Sequence, residues 1–303
     1  SRNALSVTYD LVSIAEAQAE CGFFDDAAHT IAKASARPGA GAATSSKRKS
    51  ALAELAVQRC EDEHLSVELA LKAIDENLTN YDSVRARRRI AMVAARQGSK
   101  DEATRILDDA LGKSKLNRFK YERRIAEMTA FTEHLRKERR EAIQRMDSGF
   151  AREVKEIATA LAELGHVEKA ITLADSIPGS DYKTAYYKSK AVAAIATIVA
   201  TKNDRRLALS LLDKAARTPG IKPTSYSWEP RTTVALQQLA LGDENAAMKT
   251  LSLIEYRSDQ LDVLSAFSET YSRTREFNSI RGLLNSNPHF SLETGAIALG
   301  AAR

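Results

Sequence analysis

The chain has little of several features on which other protein classes depend. It holds two cysteines in 303 residues and only 6% aromatic residues. No apolar run approaches the roughly 18–20 residues that a membrane span requires. The most apolar stretch, residues 191–200, reaches about half that length and is bracketed by lysines. A disulfide framework and a transmembrane helix are therefore excluded.

Sequence patterns typical of β-strands and of secretory signal peptides are also missing. Runs rich in Val, Ile, Thr and aromatic residues do not occur, so a β-sheet has nothing to be built from. The N-terminus lacks the basic, apolar and small-residue layout of a signal peptide, which favours a soluble, cytoplasmic chain. The chain starts at Ser1 without a methionine, as expected of a processed or trimmed protein.

The residue spacings of known catalytic and metal sites are absent as well. Five histidines are scattered along the chain, and neither cysteine stands at a metal-ligand spacing from another ligand. The glycines near Gly41 lack the spacing of a phosphate-binding loop, and no Gly-x-Ser-x-Gly elbow occurs. We therefore expect no catalytic residue, no metal and no cofactor.

What the chain does contain is an internal repeat. Five segments share one spacing: an alanine, a Gly or Asn seven residues later, and a second alanine five residues after that. The segments are Ala15–Gly22–Ala27, Ala91–Gly98–Ala103, Ala158–Gly165–Ala170, Ala196–Asn203–Ala208 and Ala235–Gly242–Ala247. An aliphatic residue precedes each first alanine, namely Ile14, Ile90, Ile157, Ile195 and Val234.

Helix pairs explain this spacing. The two alanines let two antiparallel helices approach closely, and the Gly or Asn between them takes the left-handed conformation that ends the first helix. An acidic residue follows, within the first turn of the second helix, where the helix dipole favours it. The large aliphatic residues are expected to fill the seam between units.

The intervals between junctions indicate one repeat per 34–40 residues, with looser copies between the strict ones. We predict an all-α chain, residues 1–303, folded as a single domain of about eight antiparallel helix pairs. The predicted units are 5–37, 47–78, 81–113, 116–147, 148–178, 181–217, 229–254 and 257–286, followed by a closing helix at 288–303. Residues 37–49 and 218–230 are predicted as the longer loops.

This pattern resembles the tetratricopeptide repeat, in which alanine, glycine and alanine follow the same offsets. Ala34, Ala110 and Ala215 stand near a later small position of that family. Its aromatic position is held here by Gln18, Ala94, Leu161, Val199 and Gln238. The resemblance implies a right-handed α-solenoid, a superhelix of helix pairs. Sel1-like units are the alternative helical repeat.

The two cysteines fall near the ends of the first helices of successive units. Equivalent points on neighbouring units lie about 8–10 Å apart, which is too far for a disulfide. We therefore predict that Cys21 and Cys60 are two small buried side chains.

The positive charge of the chain is concentrated in its middle. Residues 81–155 carry 20 Lys and Arg against 12 Asp and Glu, whereas residues 1–80 carry 8 against 12. The basic region, residues 85–145, suits an acidic protein, a nucleic-acid backbone or anionic lipid. Its acidic neighbours could also neutralise it on ordinary solvated faces. The candidate residues are Arg85, Arg88, Arg89, Arg118, Arg123, Arg124, Arg139 and Arg140.

A second candidate surface combines aromatic residues near the C-terminal third. Tyr182 and Tyr186 share a helix face, alongside Ser189 and Lys190, and Tyr226 and Trp228 lie in the next long loop. Tyr and Trp dominate binding hot spots. The competing interpretation is that these side chains cover apolar seams between repeats.

Helix-pair solenoids expose a groove suited to an extended peptide or a partner helix. The leading hypothesis is a protein-interaction scaffold or adaptor that binds another protein and is not an enzyme. A nucleic-acid or acidic-surface binder is the alternative, and a non-catalytic accessory domain of a larger protein is the second alternative.

Overall fold

The computed structural model describes residues 2–35, 42–63, 65–78, 80–127, 133–179, 181–219, 230–254, 260 and 263–264. Throughout these residues the regular secondary structure is α-helix, and none of it is strand. The predicted all-α class is therefore confirmed. None of the helices within these ranges combines the length and apolar character needed to cross a bilayer. The chain divides into two compact units, residues 1–170 and 171–303.

The first unit is built from helices that pack in chain order. Its helices are α1 (Arg2–Glu20), α2 (Phe24–Ser35), α3 (Ala42–Glu61), α4 (Val67–Asn77), α5 (Asn80–Arg96), α6 (Lys100–Ala126) and α7 (Glu133–Glu163). Within it, α1 packs on α2, α3 on α4 and α5 on α6, and α3 also contacts α1 and α5. Each odd-numbered helix up to α5 thus contacts both its partner and the next odd-numbered helix.

The division between the units falls inside α8 (Val167–Asp175). The second unit contains α9 (Tyr182–Thr201), α10 (Arg205–Ala216), α11 (Pro230–Ala240) and α12 (Glu244–Leu251). Here α9 packs on α10 and α11 packs on α12. Leu239, Leu251 and Ile254 belong to the core formed around the last of these pairs.

The turns between paired helices follow the predicted geometry. All five Gly or Asn residues of the repeat have positive φ, from 65° at Asn203 to 99° at Gly165. The turn after α3 uses Glu63, with φ of 62°. In the turn at Gly22, the Gly22 amide donates to the Ala19 carbonyl at 2.9 Å and the Phe23 amide to Gln18 at 2.8 Å. These two bonds form a Schellman motif, which satisfies carbonyls at the helix end.

The repeat alanines lie where the spacing predicts. All ten of them are at most 1% exposed. A side chain limited to one methyl group lets the backbones of two helices approach closely, so a larger residue at these positions would push the pair apart. The acidic residues after the junctions divide into two kinds. Asp204 and Asp243 stand before the second helix as N-caps, whereas Asp25, Asp101 and Glu168 lie in its first turn.

Two predicted unit boundaries differ from the structure. The break at 113–116 falls inside α6, and the break at 147–148 falls inside α7. The predicted fourth unit is instead the end of one long helix and the start of the next. No proline interrupts 113–126, and the ion pairs Arg118–Glu122 and Arg123–Glu127 support continuous helix there.

Smaller corrections concern single positions. Helix α3 starts at Ala42, inside the predicted loop 37–49, because no Gly or Pro follows Gly41 there. Ile14 is 50% exposed, although its four counterparts are buried. Cys21 is exposed because it lies in the turn after α1, whereas Cys60 is buried inside α3, which raises the pKa of its thiol. The predicted unit 257–286 and closing helix 288–303 lie outside the described residues, apart from three positions.

Candidate binding surface on the α6–α7 hairpin

The second half of α6 and the first half of α7 form an antiparallel hairpin. The Ser114 hydroxyl donates a hydrogen bond to the Glu153 carboxyl. One turn further along α6, Arg118 Nη2 lies 3.0 Å from Asp147 Oδ1, and its guanidinium carbon lies 4.7 Å from the centre of the Phe150 ring. Positions advance along α6 as their partners retreat along α7, so the two helices run in opposite directions.

Most of this hairpin is solvent-exposed. Ile125 is the one buried side chain among the described residues 115–127 and 134–149. Apolar side chains nevertheless occur on its surface: Leu116 is 51% exposed, Phe119 is 63% exposed and Ile143 is 38% exposed. Leu116 and Phe119 are three residues apart and lie on the side of α6 away from Ser114 and Arg118, since those two face α7.

The α6 half of the hairpin is also strongly basic. Residues 113–127 carry six Lys and Arg against two Glu. Lys115, Lys120 and Arg124 are exposed and lie around the two apolar side chains. The combination is an apolar patch surrounded by positive charge.

The predicted basic residues divide into two groups in the structure. Arg88 and Arg89 belong to α5 and form ion pairs between helices. Arg88 Nη1 lies 2.6 Å from Glu156 Oε2, and its Nη2 lies 3.0 Å from Glu163 Oε1. Arg89 binds Glu61 and Glu54 of α3, and these bonds, led by the one to Glu61, raise the pKa of its guanidinium. Both side chains therefore join helices and do not present free charge.

Arg87 provides a buried example of the same role, which the sequence did not reveal. Its side chain is 1% exposed and binds Asp75, Asp109 and Ser83. Burial alone would raise the pKa of the Asp75 carboxyl, but the hydrogen bond from Lys113 and the charge of Arg87 outweigh it and lower the pKa. The cluster thus links α4, α5 and α6 through charge.

The remaining candidate arginines differ in exposure and in their partners. Arg118 pairs with Glu122 and Asp147, and Arg123 with Glu127 at 3.3 Å. Arg124 and Arg140 are exposed and Arg139 is half-buried. Arg85 is exposed beside a cavity of about 240 Å³ between α1, α3 and α5. The structure therefore places five of the eight candidates on the hairpin and three on α5.

Comparison with known proteins does not identify this chain. No family model matches it, and no curated protein matches it. Among solved structures, the crystal structure of Ton1535 from Thermococcus onnurineus NA1 aligns with 99% of this chain and 91% of that chain. The two share 12% sequence identity, and the TM-score is 0.34. A likeness of that size carries no argument about fold or function.

The predicted tyrosine surface is only partly available to a ligand. Tyr182 and Tyr186 lie 6.4 Å apart by ring centroids, and Lys190 Nζ lies 4.8 Å from the Tyr186 centroid. Both tyrosines are half-buried. Ser189 is fully buried and donates a hydrogen bond to the Ala215 carbonyl at 3.0 Å, so it serves the packing of α9 on α10. Tyr226 and Trp228 lie outside the described residues.

The hairpin also contains a cleft that the sequence did not reveal. Its volume is about 390 Å³, and it lies along the seam between α6 and α7. Glu153 stands at its edge and is 7% exposed. Burial raises the pKa of this carboxyl, although the bond from Ser114 and the charge of Arg152 oppose the shift. The signal in the sequence was weak: Gly149 is an isolated glycine within a helical pattern.

No group of three or more potential metal ligands occurs among the residues that the structure describes. Among the residues that the structure describes, those of the hairpin combine exposed apolar side chains with an excess of positive charge, and the hairpin is the candidate functional site.

Proposed function

We propose that this chain is a protein-interaction module, a scaffold or adaptor, and that it is not an enzyme. Its helix pairs stack into a right-handed solenoid, and the α6–α7 hairpin is the surface that receives the partner. Support comes from the six junctions of similar geometry and from the ten buried alanines, because such units bury their cores between neighbours and leave faces free for binding.

The observation that carries the proposal is the exposure of Leu116 and Phe119 within a basic surface. An apolar patch with a charged rim has the composition of an interaction site, and burying each of its two large side chains is worth about 1.5–3 kcal/mol. The surrounding lysines and arginines select the charge of that partner. We therefore expect an acidic segment that carries apolar side chains, such as one face of an amphipathic helix.

Site-specific photo-crosslinking tests this proposal. A photoreactive phenylalanine analogue replaces Phe119 in one protein and Leu69 in a control. Leu69 is 53% exposed on α4, so it matches the exposure of the hairpin side chains without sharing their surface. In a lysate of the source organism, we expect one crosslinked protein at position 119 and none at 69, with an acidic peptide at the attachment point.

A variant pair gives the quantitative test. With the identified partner, Leu116→Asp combined with Phe119→Asp should weaken binding about 100-fold or more, because two apolar contacts are lost. Leu69→Asp should leave binding unchanged. Equal binding by all three proteins would reject the hairpin as the interaction surface.

Nucleic-acid binding is the second candidate, favoured by the six basic residues between 113 and 127. Fluorescence anisotropy with labelled single- and double-stranded oligonucleotides tests it. A nucleic-acid binder should lose affinity steeply as salt rises, and Arg123→Glu with Arg124→Glu should abolish binding. If neither oligonucleotide binds even at low salt, nucleic-acid binding is rejected and the proposal of a protein partner stands.

A further inference from the structure

The cleft of the α6–α7 hairpin lies where two seam positions of α7 hold small residues. On α7, Ala142 and Gly149 face the seam. A Cβ atom added at Gly149 would meet no heavy atom within 4 Å beyond its chain neighbours and the backbone of its own helix. A glycine within a helix costs about 1 kcal/mol relative to alanine. Gly149 therefore lowers the stability of α7 slightly, at a position where the missing side chain leaves the cleft open.

The walls of the cleft are largely apolar. Ile125 and Tyr121 line it from α6, and Met146 and Phe150 line it from α7. Its volume lies at the lower end of the range of about 300–1,000 Å³ that ligand pockets occupy. A ligand of this cleft is therefore small, with an aromatic or aliphatic body.

The charge at the cleft is positive. Three guanidinium groups line it, those of Arg118, Arg145 and Arg152, against the single carboxyl of Glu153. Arg118 is already engaged by Glu122 and Asp147. Arg145 is 68% exposed, and its ion contact with Glu141, the one found among the described residues, is long at 3.8 Å. Its guanidinium is therefore the group best able to turn toward an anion at the rim.

We propose that this cleft binds a small apolar anion, with an aromatic or aliphatic body between Met146 and Phe150 and a carboxylate or sulfonate on Arg145. The apolar walls receive the body, and the excess of guanidinium groups determines the sign of the charged group. This site is separate from the outer face of α6 and does not depend on the proposed partner protein.

The probe is 8-anilinonaphthalene-1-sulfonate, an aromatic anion whose fluorescence rises in apolar surroundings. We expect saturable binding to the intact chain, with dodecanoate as a competitor and a neutral dodecyl alcohol as a weaker one. Gly149→Leu fills the cleft and should weaken binding about tenfold or more. Arg145→Gln removes one exposed charge contact and should weaken it about two- to fivefold.

Gly112→Leu is the matched control. Gly112 also lies within a helix with open space around its Cβ position, but it does not line the cleft. This variant should bind the probe as the parent does. Equal affinity in Gly149→Leu and Gly112→Leu would overturn the proposal.

A second measurement places the probe on the parent protein and needs no variant. The chain has four methionines, so methyl-labelled methionine gives few resonances. We expect the anion to shift the Met146 methyl resonance and to leave those of Met92 and Met248 unchanged. Saturable binding without a shift at Met146 would show that the probe lies elsewhere and would overturn the proposal.

Discussion

Hydrogen bonds between side chains join the two helices in two of the helix pairs. The Thr30 hydroxyl donates to Gln18 Oε1 at 2.8 Å, and the Thr250 hydroxyl donates to Gln238 Oε1 at 2.7 Å. In both cases the partners are twelve residues apart. At the same offset in the pair of α9 and α10, Val199 and Leu211 are both apolar and both buried. In each of these three pairs, the two positions twelve residues apart are therefore either both polar or both apolar.

We expect the Gln238–Thr250 pair to show strong coupling. Gln238→Leu leaves the buried Thr250 hydroxyl without its acceptor, and Thr250→Val leaves the Gln238 oxygen without its donor, so each should cost about 1–3 kcal/mol. The double variant removes both polar groups and should cost less than the sum of the two. Urea unfolding of the four proteins gives the coupling energy. Strict additivity would show that the bond contributes nothing specific.

The buried carboxyl of Glu153 gives a pH dependence with a definite sign. Its pKa is raised in the folded state by burial, so its contribution to stability is present at low pH and is lost as pH rises through the folded pKa. A glutamine at this position would not titrate and would still accept the bond from Ser114. Glu153→Gln should therefore gain stability relative to the parent as pH rises.

Thermal unfolding between about pH 4 and about pH 8 measures this difference. Asp75 and Glu156 have lowered pKa values and lose their contribution as pH falls, but they are common to both proteins and cancel. A difference between Glu153→Gln and the parent that stays constant with pH would contradict the expected role of Glu153.

At the scale of the helices, the first helix of each of six pairs ends in a turn that contains a residue with positive φ. Four of the junction residues are glycine and one is asparagine, but the turn after α3 uses Glu63. A residue with a Cβ costs about 1–2 kcal/mol in this conformation. Glu63→Gly should therefore stabilise the protein by about 1 kcal/mol in urea unfolding.

Gly98→Ala is the reverse change at an equivalent junction and should destabilise the protein by a similar amount. Space is available there, since an added Cβ would meet nothing within 4 Å, so the loss would report the backbone conformation alone. If both variants changed stability in the same direction, the left-handed turn would not be the cause.

The sequence predicts helix ends most directly where a residue with special backbone freedom marks them. Gly22, Gly98, Gly165, Asn203 and Gly242 were recognised in this way, and the structure confirms their turns. The repeat spacing places a boundary at 113–116, but α6 continues through it because no proline interrupts the helix there. Gly112 alone does not end a helix, since its cost is about 1 kcal/mol and neighbouring residues offset it.

The candidate site was harder to predict than the helices. The excess of arginine in the middle of the chain was evident, but the partners of Arg88 lie 68 and 75 residues away. Charge composition cannot tell a guanidinium that joins two helices from one that faces solvent. The cleft was missed for a similar reason, because it depends on which face of α7 carries Gly149.

At the scale of the whole molecule, the hairpin is an extension that the rest of the first unit does not need for its core. Residues 118–148 contribute one buried side chain, Ile125, among their described members. Helices α1 to α5 bury their large side chains among themselves and against the remaining parts of α6 and α7. Removal of the extension should therefore leave the core of the unit in place.

We expect a protein in which a short loop of about four residues joins 117 to 149 to fold. Its helical circular dichroism should fall in proportion to the residues removed. Its free energy of unfolding should fall by about 2 kcal/mol or less, the value of one buried side chain. It should bind neither the partner protein nor the anion.

Ala103→Leu is the control. It overpacks the contact of α5 with α6, so it should cost about 1–3 kcal/mol of unfolding free energy and keep both binding surfaces. Unfolding of the shortened protein would show that the hairpin belongs to the core and would remove the basis for treating it as a separate binding arm.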